Sequence, residues 1–134
     1  MDHLTKTLRQ ALLANGARGA REDRDPVPVV KFFNPCGAAT WLATELDVDG
    51  DTLFGLVDLG FGCPELGYFS LAEIAAVRLR FGLRVERDQH FSTTHRLSEW
   101  AEAARQAGSI TEAAPLLRRA ATAWPNGLSD PSGD

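Results

Sequence analysis

The chain has 134 residues, of which 44% are hydrophobic and 24% are charged, and its formal net charge is −4. These values are typical of one soluble globular domain that can bury a modest core without disulfides or metals. They argue against a protein that binds nucleic acid through its overall charge. No apolar run approaches the length of a membrane span.

The first residues and the two cysteines indicate the compartment. The opening MDHLTKTLRQ is polar and amphipathic and lacks the apolar segment of a secretory signal. Cys36 and Cys63 belong to no C-x-x-C pair, so two reduced thiols are the simplest interpretation. We therefore expect a cytoplasmic protein, with no cofactor and no bound metal.

Residues 1–26 predict an N-terminal helix followed by a linker. Leu4, Leu8 and Leu12 recur at helical spacing, and Asn15-Gly16 is a stop signal. The next stretch, ARGAREDRDP, is polar and mixed in charge, which is typical of a mobile linker. Residues 125–134 have the composition of a disordered tail. The compact domain is therefore expected over residues 27–124.

The compact domain is predicted to begin with a strand and a helix. The stretch from Val27 to Phe33 is β-branched and aromatic, and Pro28 places it at a sheet edge or starts the strand. The next stretch, from Gly37 to Leu46, predicts a helix. Its apolar residues fall on one helical face, which should pack against the sheet: Ala38, Trp41, Leu42 and Leu46.

A β-hairpin is the clearest local prediction. Residues 53–59 and 65–69 are strand-like, and the glycine-rich GFGCP joins them. Ser70 and Glu73 have capping-box spacing and open a helix. A short strand LRVERD, a helix from Ser98 to Gly108 and a last helix over residues 115–123 follow. The fold class is α+β: a small, mainly antiparallel sheet of about four strands flanked by about four helices.

Three pieces of the chain carry a family resemblance: KFFNPCGAATWLATELD, FGLVDLGFGCPELGYFSLAEI and GLRVERDQHF. They resemble the bacterial domain-of-unknown-function family twenty-nine fifty-eight, over residues 28–105. The first and last helices depart from this pattern as peripheral additions. The resemblance implies a small cytosolic protein of mobile genetic elements such as plasmids. It implies no activity and assigns no catalytic residue.

Two acids, Asp58 and Glu65, stand in the hairpin where apolar residues are usual. We expect both to be at least half buried and to accept hydrogen bonds from backbone amides of the turn. The alternative is a metal-dependent hydrolase with the two acids as ligands. That alternative is disfavoured because Gly67 stands where a nuclease would have its lysine. Asp47, Asp49 and Asp51 likewise resemble a calcium loop, but Thr52 replaces the required glycine, which favours a solvated turn.

Charge is unevenly distributed along the sequence. No basic residue lies between Lys31 and Arg78, whereas seven acids do. Glu45 and Asp47, with the following aspartates, can form an acidic face that attracts a basic protein surface. The opposing observation is an arginine group that could contact phosphates beside Phe81 or Phe91, although Glu86 and Asp88 interleave with it: Arg78, Arg80, Arg84 and Arg87.

Nucleophilic catalysis is a weaker alternative. Cys36 would lie at a predicted helix N-terminus, with His90 or His95 as a base, but no acid at fixed spacing orients either histidine. His3, in the N-terminal helix, suggests no role. The sequence therefore favours a non-enzymatic interaction module that contacts a protein partner through an acidic face. A nucleic-acid-binding protein, or a hydrolase acting on nucleic acid, is the alternative; the partner and the oligomeric state stay open.

Overall fold

The computed structural model describes residues 3–19 and 24–123. Five antiparallel strands form one open sheet in the order β4-β3-β2-β1-β5, which confirms the α+β class. The strands are β1 (Val30–Phe33), β2 (Thr40–Leu46), β3 (Thr52–Asp58), β4 (Glu65–Ser70) and β5 (Glu86–Arg87). The helices are α1 (Lys6–Gly19), α2 (Leu71–Ala76), α3 (Leu97–Ala107) and α4 (Ile110–Ala123). A single 3₁₀ turn, Arg80–Gly82, lies between α2 and β5.

The helix predicted over residues 37–46 is wrong, because most of that stretch forms strand β2 at the centre of the sheet. Its two faces are both covered, so Leu42 and Ala43 are both fully buried although they point in opposite directions. A strand buried on both faces reads as a continuous apolar run, and its spacing cannot be told from that of a helix. Leu42 consequently faces away from Trp41, which is only half-buried.

Helix α1 is part of the core. Leu12 of α1, and Leu4 just before the helix, are buried in the cluster that covers one face of the sheet, with Phe32 of β1 and Leu53 of β3. A Cβ atom on Gly16 would lie 2.4 Å from the carbonyl oxygen of Leu46, so the helix crosses β2 at a position that only glycine can occupy. The peripheral placement expected for the first helix is therefore wrong.

The helix also runs through its predicted stop signal. Asn15 donates its side-chain amide to the carbonyl oxygen of Thr44, at 3.0 Å. Thr44 lies at an irregularity in the pairing of β2 with β3, which frees backbone groups for such contacts. Asn15 and Gly16 are thus packing residues against β2, and α1 continues to Gly19.

Helices α3 and α4 cover the other face of the sheet, where Trp100 and Ile110 pack on Leu42 and Leu56. Asp25, in the predicted linker, caps α3: its carboxylate accepts the backbone N–H of Ser98 at 3.0 Å and also the Ser98 hydroxyl. Gly108 ends α3 with a left-handed φ of 88°, as expected. The predicted mobile-linker residues 20–23 and the predicted tail 125–134 lie outside the described residues.

Several predicted boundaries shift. Strand β1 begins at Val30, after Pro28, and β5 shortens to two residues. Helix α4 begins at Ile110, five residues before Pro115, which lies within the helix. The hairpin of β3 and β4 is confirmed, with Val57 opposite Glu65 and Thr52 opposite Ser70.

Candidate interaction surfaces

Asp58 is a buried anchor at the end of β3. Its side chain is 0% exposed. One carboxylate oxygen accepts the backbone N–H of Gly60 at 2.9 Å, and the other accepts the backbone N–H of Ile110 at 2.9 Å. The first bond shapes the hairpin turn, and the second satisfies a free N–H at the start of α4, where the helix dipole favours a negative charge. The burial and the backbone bonding predicted for Asp58 are confirmed.

Glu65 lies on the opposite face of the sheet from Asp58. It pairs with Val57, and paired residues of antiparallel strands share a face, whereas adjacent residues alternate. Glu65 is exposed because β4 is an edge strand, so its predicted burial is wrong. The two carboxylates therefore cannot ligate one metal. Within residues 3–19 and 24–123, no three His, Cys, Asp or Glu side chains form a group that could hold a metal ion.

The aspartates after β2 shape the β2–β3 turn. Asp47 accepts the N–H of Val48 at 2.7 Å. Asp49 accepts the Thr52 hydroxyl and the N–H groups of Thr52 and Asp51, and these hydrogen bonds hold the pKa of the Asp49 carboxyl below its ordinary value. These carboxylates are thus bound to the turn itself, although Asp47 stays exposed.

Asp51 connects this turn to α2. Its carboxylate accepts the N–H of Ala72 and the hydroxyl of Ser70, each at 2.7 Å. Ser70 in turn accepts the N–H of Glu73 at 3.1 Å, which is half of the predicted capping box. A residue from a neighbouring turn therefore completes the cap of α2.

Glu45 lies within strand β2, before the turn that carries these aspartates. It is half-buried, and burial raises the pKa of its carboxyl above the ordinary value, while the charge of Arg24 opposes that shift. It shares a shallow cavity of about 390 Å³ with Asp47 and Tyr68. Two of the predicted binding acids are thus brought next to the exposed ring of Tyr68.

The β3–β4 hairpin carries an exposed apolar surface. Phe61 in the turn is 82% exposed and Tyr68 on β4 is 77% exposed. Leu59 and Leu66 are also exposed, and all four residues line one cleft of about 310 Å³ together with Glu65. We call these four residues the hairpin surface. Among the described residues, strand β4 pairs only with β3, so no other described strand covers its outer backbone edge.

Sequence reasoning missed the hairpin surface. The signal is the loss of alternation in GFGCPELGY, where apolar residues stand at both strand parities. The glycines that make this possible have left-handed φ values, 92° at Gly60 and 86° at Gly62, and they hold Phe61 outward between them. The ring of Tyr68 packs against that of Phe54, with 4.9 Å between the ring centroids, and this contact holds the Tyr68 side chain in place on the edge strand.

The segment between α2 and β5 presents an aromatic ring among arginines. Phe81 is 91% exposed and has a φ of 60°, the one left-handed φ at a non-glycine among the described residues. Arg78, Arg80 and Arg84 are exposed around it. We call residues 77–84 the arginine loop. Arg87 lies apart on β5 and is half-buried.

The acids that interleave with these arginines do not neutralise them. Asp88 lies 3.7 Å from Lys31 instead. Arg84 donates to the carbonyl oxygen of Ala75 at 3.3 Å. In the part of the chain that the structure describes, no arginine between residues 78 and 87 forms an ion pair.

The cysteine–histidine arrangement expected as a weaker alternative does not form. Cys36 lies in the turn before β2 and not at a helix N-terminus, and its N–H donates to the Asn34 side chain at 2.7 Å. His90 and His95 line a cavity that Cys36 does not reach. His3 is buried and bonds to the carbonyl oxygen of Val85 at 2.9 Å, so it ties the N-terminus to the strand side of the core.

Comparison with known proteins identifies a family and nothing further. Residues 3–111 match the family described as Protein of unknown function (DUF2958). The match includes α1, which agrees with the place of that helix in the core. No curated protein and no solved structure matches the chain. Among the described residues, no helix is long and apolar enough to cross a membrane.

Proposed function

This chain belongs to the DUF2958 family of proteins of unknown function, and we propose that it is a non-enzymatic interaction module that binds a protein partner through the hairpin surface. The observation that carries the proposal is the position of four exposed apolar side chains at an open sheet edge. Its place in the cytoplasm, on a bacterial mobile genetic element, belongs to the same proposal and is supported by the resemblance of its motifs.

An open apolar edge is unusual in a monomeric protein. Natural sheets protect their edges with lysine, proline, bulges or covering elements, because an unpaired strand templates further pairing. Strand β4 carries one charge, Glu65 at its start, and has Gly67 at its centre. A contiguous exposed apolar patch on such an edge is typical of a protein-binding site. The partner would add an extended segment beside β4 and cover Leu66 and Tyr68.

The acids near this edge define the chemistry of the partner. Glu65 lies in the hairpin cleft, and Glu45 and Asp47 share a cavity with Tyr68. Carboxylates around an apolar centre favour a partner segment with apolar residues flanked by lysine or arginine. Such rim charges raise the association rate more than the final affinity. In this proposal, the acids that the sequence suggested as the contact surface lie at the rim of an apolar site.

The test uses a paired variant, Phe61→Ser with Tyr68→Ser, and a control, Val48→Ser, which removes an equally exposed apolar residue from the β2–β3 turn. Proteins recovered from the native host by the tagged chain are purified and titrated by calorimetry. We expect the paired variant to weaken a direct partner by at least about tenfold and the control to leave it unchanged. A partner that binds the parent and the paired variant equally tightly would contradict the proposal.

Nucleic-acid binding through the arginine loop is the second candidate. An exposed ring can stack on an unpaired base, and unneutralised arginines can contact phosphates. A non-glycine residue in the left-handed region costs of the order of 1 kcal/mol. The exposed Phe81 therefore adopts a backbone conformation that its own residue type disfavours. We place this candidate second because the net charge is −4, which opposes binding to a phosphate backbone.

A further inference from the structure

The segment after β5 closes a cavity of about 480 Å³ against α3 and α4. Its inner wall is apolar and combines the rings of Phe91 and Trp100 with aliphatic side chains of α4, at Ile110, Ala114 and Leu117. The two rings are 6.2 Å apart and tilted by 51°, so they form a bent aromatic wall. The cavity lies on the opposite side of the sheet from α1 and belongs to neither surface described above.

The loop that forms the outer wall is held by its own hydrogen bonds. The Asp88 carboxylate accepts the N–H of His90 at 2.9 Å, and its carbonyl accepts the N–H of Phe91 at 3.2 Å. The Thr93 hydroxyl accepts both the indole N–H of Trp100 and the N–H of His95, each at 3.1 Å. The cavity is therefore preformed, as binding sites for small molecules generally are.

The rim of the cavity holds donors that form no hydrogen bond within the described part of the chain, although one of them, Lys31, is ion-paired with Asp88. The ammonium nitrogen of Lys31 lies 3.7 Å from Asp88, which is longer than a hydrogen bond. Within the described residues, neither this ammonium group nor the hydroxyls of Ser92 and Thr94 form a hydrogen bond. Arg118 also lines the cavity.

We propose that this cavity binds a small molecule with a flat apolar body and one anionic group, a carboxylate or a phosphate monoester. The aromatic and aliphatic wall takes the body, and removing its apolar surface from water drives binding. Lys31 and the two hydroxyls donate to the oxygens of the anionic group, since charge-assisted hydrogen bonds are the stronger kind. The inference is independent of the hairpin surface, because the two sites share no residue.

The test is an NMR titration of the 134-residue chain with three probes that share one ring system: 1-naphthyl phosphate, 1-naphthoate and uncharged 1-naphthol. We expect saturable shifts of the Trp100 indole N–H and of the amides of residues 88–96. Lys31→Met should weaken the anionic probes by about tenfold and leave naphthol unchanged. Lys6→Met is the matched control, because these are the only two lysines and Lys6 is exposed on α1.

A second variant keeps the test decisive if Lys31→Met folds poorly. Ala114→Leu extends into the cavity from α4 and should weaken all three probes. Binding by the phosphate alone, or by the carboxylate alone, would support the site and identify its anion. Shifts that do not saturate, that fall outside the cavity wall, or that respond equally to Lys31→Met and Lys6→Met would overturn the proposal. The proposal would also be overturned if naphthol bound more tightly than both the phosphate and the carboxylate probe.

Discussion

The Asp58 carboxylate accepts the backbone N–H of Ile110, a residue 52 positions further along the chain, at 2.9 Å. This bond ties the end of the hairpin to the start of α4, and the partner oxygen of the same carboxylate holds the hairpin turn through Gly60. One fully buried side chain thus fixes the position of a turn relative to a helix. Its removal would leave the buried N–H of Ile110 without this partner and would release the turn at Gly60.

We expect Asp58→Ala to lower the free energy of unfolding by about 1–3 kcal/mol, because buried donors without partners cost about that much. Urea unfolding monitored by circular dichroism measures the change. Glu65→Ala is the control, since that carboxylate is exposed on the other face and should alter stability little. Equal midpoints for Asp58→Ala and the parent would show that the carboxylate is not an anchor.

A second prediction separates the two aromatic residues paired across β1 and β2. Phe32 is fully buried, whereas its partner Trp41 is half-buried. We expect Phe32→Ala to cost about 3–5 kcal/mol and Trp41→Ala to cost clearly less, because truncating a fully buried ring leaves a larger cavity. Thermal and urea unfolding of both variants give the order. A greater loss for Trp41→Ala would contradict the deeper burial of the Phe32 ring.

A third prediction concerns pH. Burial raises the pKa of Glu45, so folding favours its protonated form and the ionised carboxylate destabilises the native state. The penalty is full above the raised pKa. It is relieved as the pH falls through that value and vanishes below the unfolded pKa of about 4.3.

Glu45→Gln should therefore be more stable than the parent at neutral pH, and the advantage should shrink as the pH is lowered. Glu65→Gln is the control, because that residue is exposed. Urea midpoints measured between pH 4 and pH 8, in steps, test this. An advantage of Glu45→Gln that grows toward low pH would have the wrong sign.

A fourth prediction ranks the two proposed functions. We expect weak binding to single- and double-stranded DNA at about 150 mM salt, because screening leaves only local contacts to a protein of negative net charge. Gel-shift titrations measure this, with Arg105→Ala on α3 as the control. Submicromolar binding that is lost in Arg84→Ala with Arg87→Ala would favour the nucleic-acid function over the protein-binding one. Loss in Phe81→Ala would further place the contact on the arginine loop.

Local sequence signals predicted the structure correctly where one physical cause determines the local conformation. The glycines at positions 60 and 62 and the flanking β-branched and aromatic residues predicted the hairpin, and an acid at the end of a strand predicted a buried anchor. Periodicity was insufficient for β2, because a strand covered on both sides has no polar face to reveal its period. The burial of Glu65 was predicted wrongly because sheet order, which decides whether a strand lies at an edge, is a long-range property.

The same limit applies to the candidate surfaces. The run of aspartates after β2 suggested an open acidic face, but all three accept hydrogen bonds from their own turn or from α2, which depends on geometry beyond sequence spacing. The hairpin surface and the cavity beside Trp100 depend on which face each residue takes. The cavity also depends on how the segment after β5 packs against α3 and α4, which local spacing does not reveal.

The shared use of Asp51 has a consequence for the order of folding. Helix α2 has six residues, which is too short to persist alone, and its first turn is capped from the β2–β3 turn. The cap exists only once Asp51 has been placed by the pairing of β2 with β3. Helix α2 therefore consolidates after that hairpin has closed. In a folding experiment, its amides should gain protection from hydrogen exchange after those of β2 and β3.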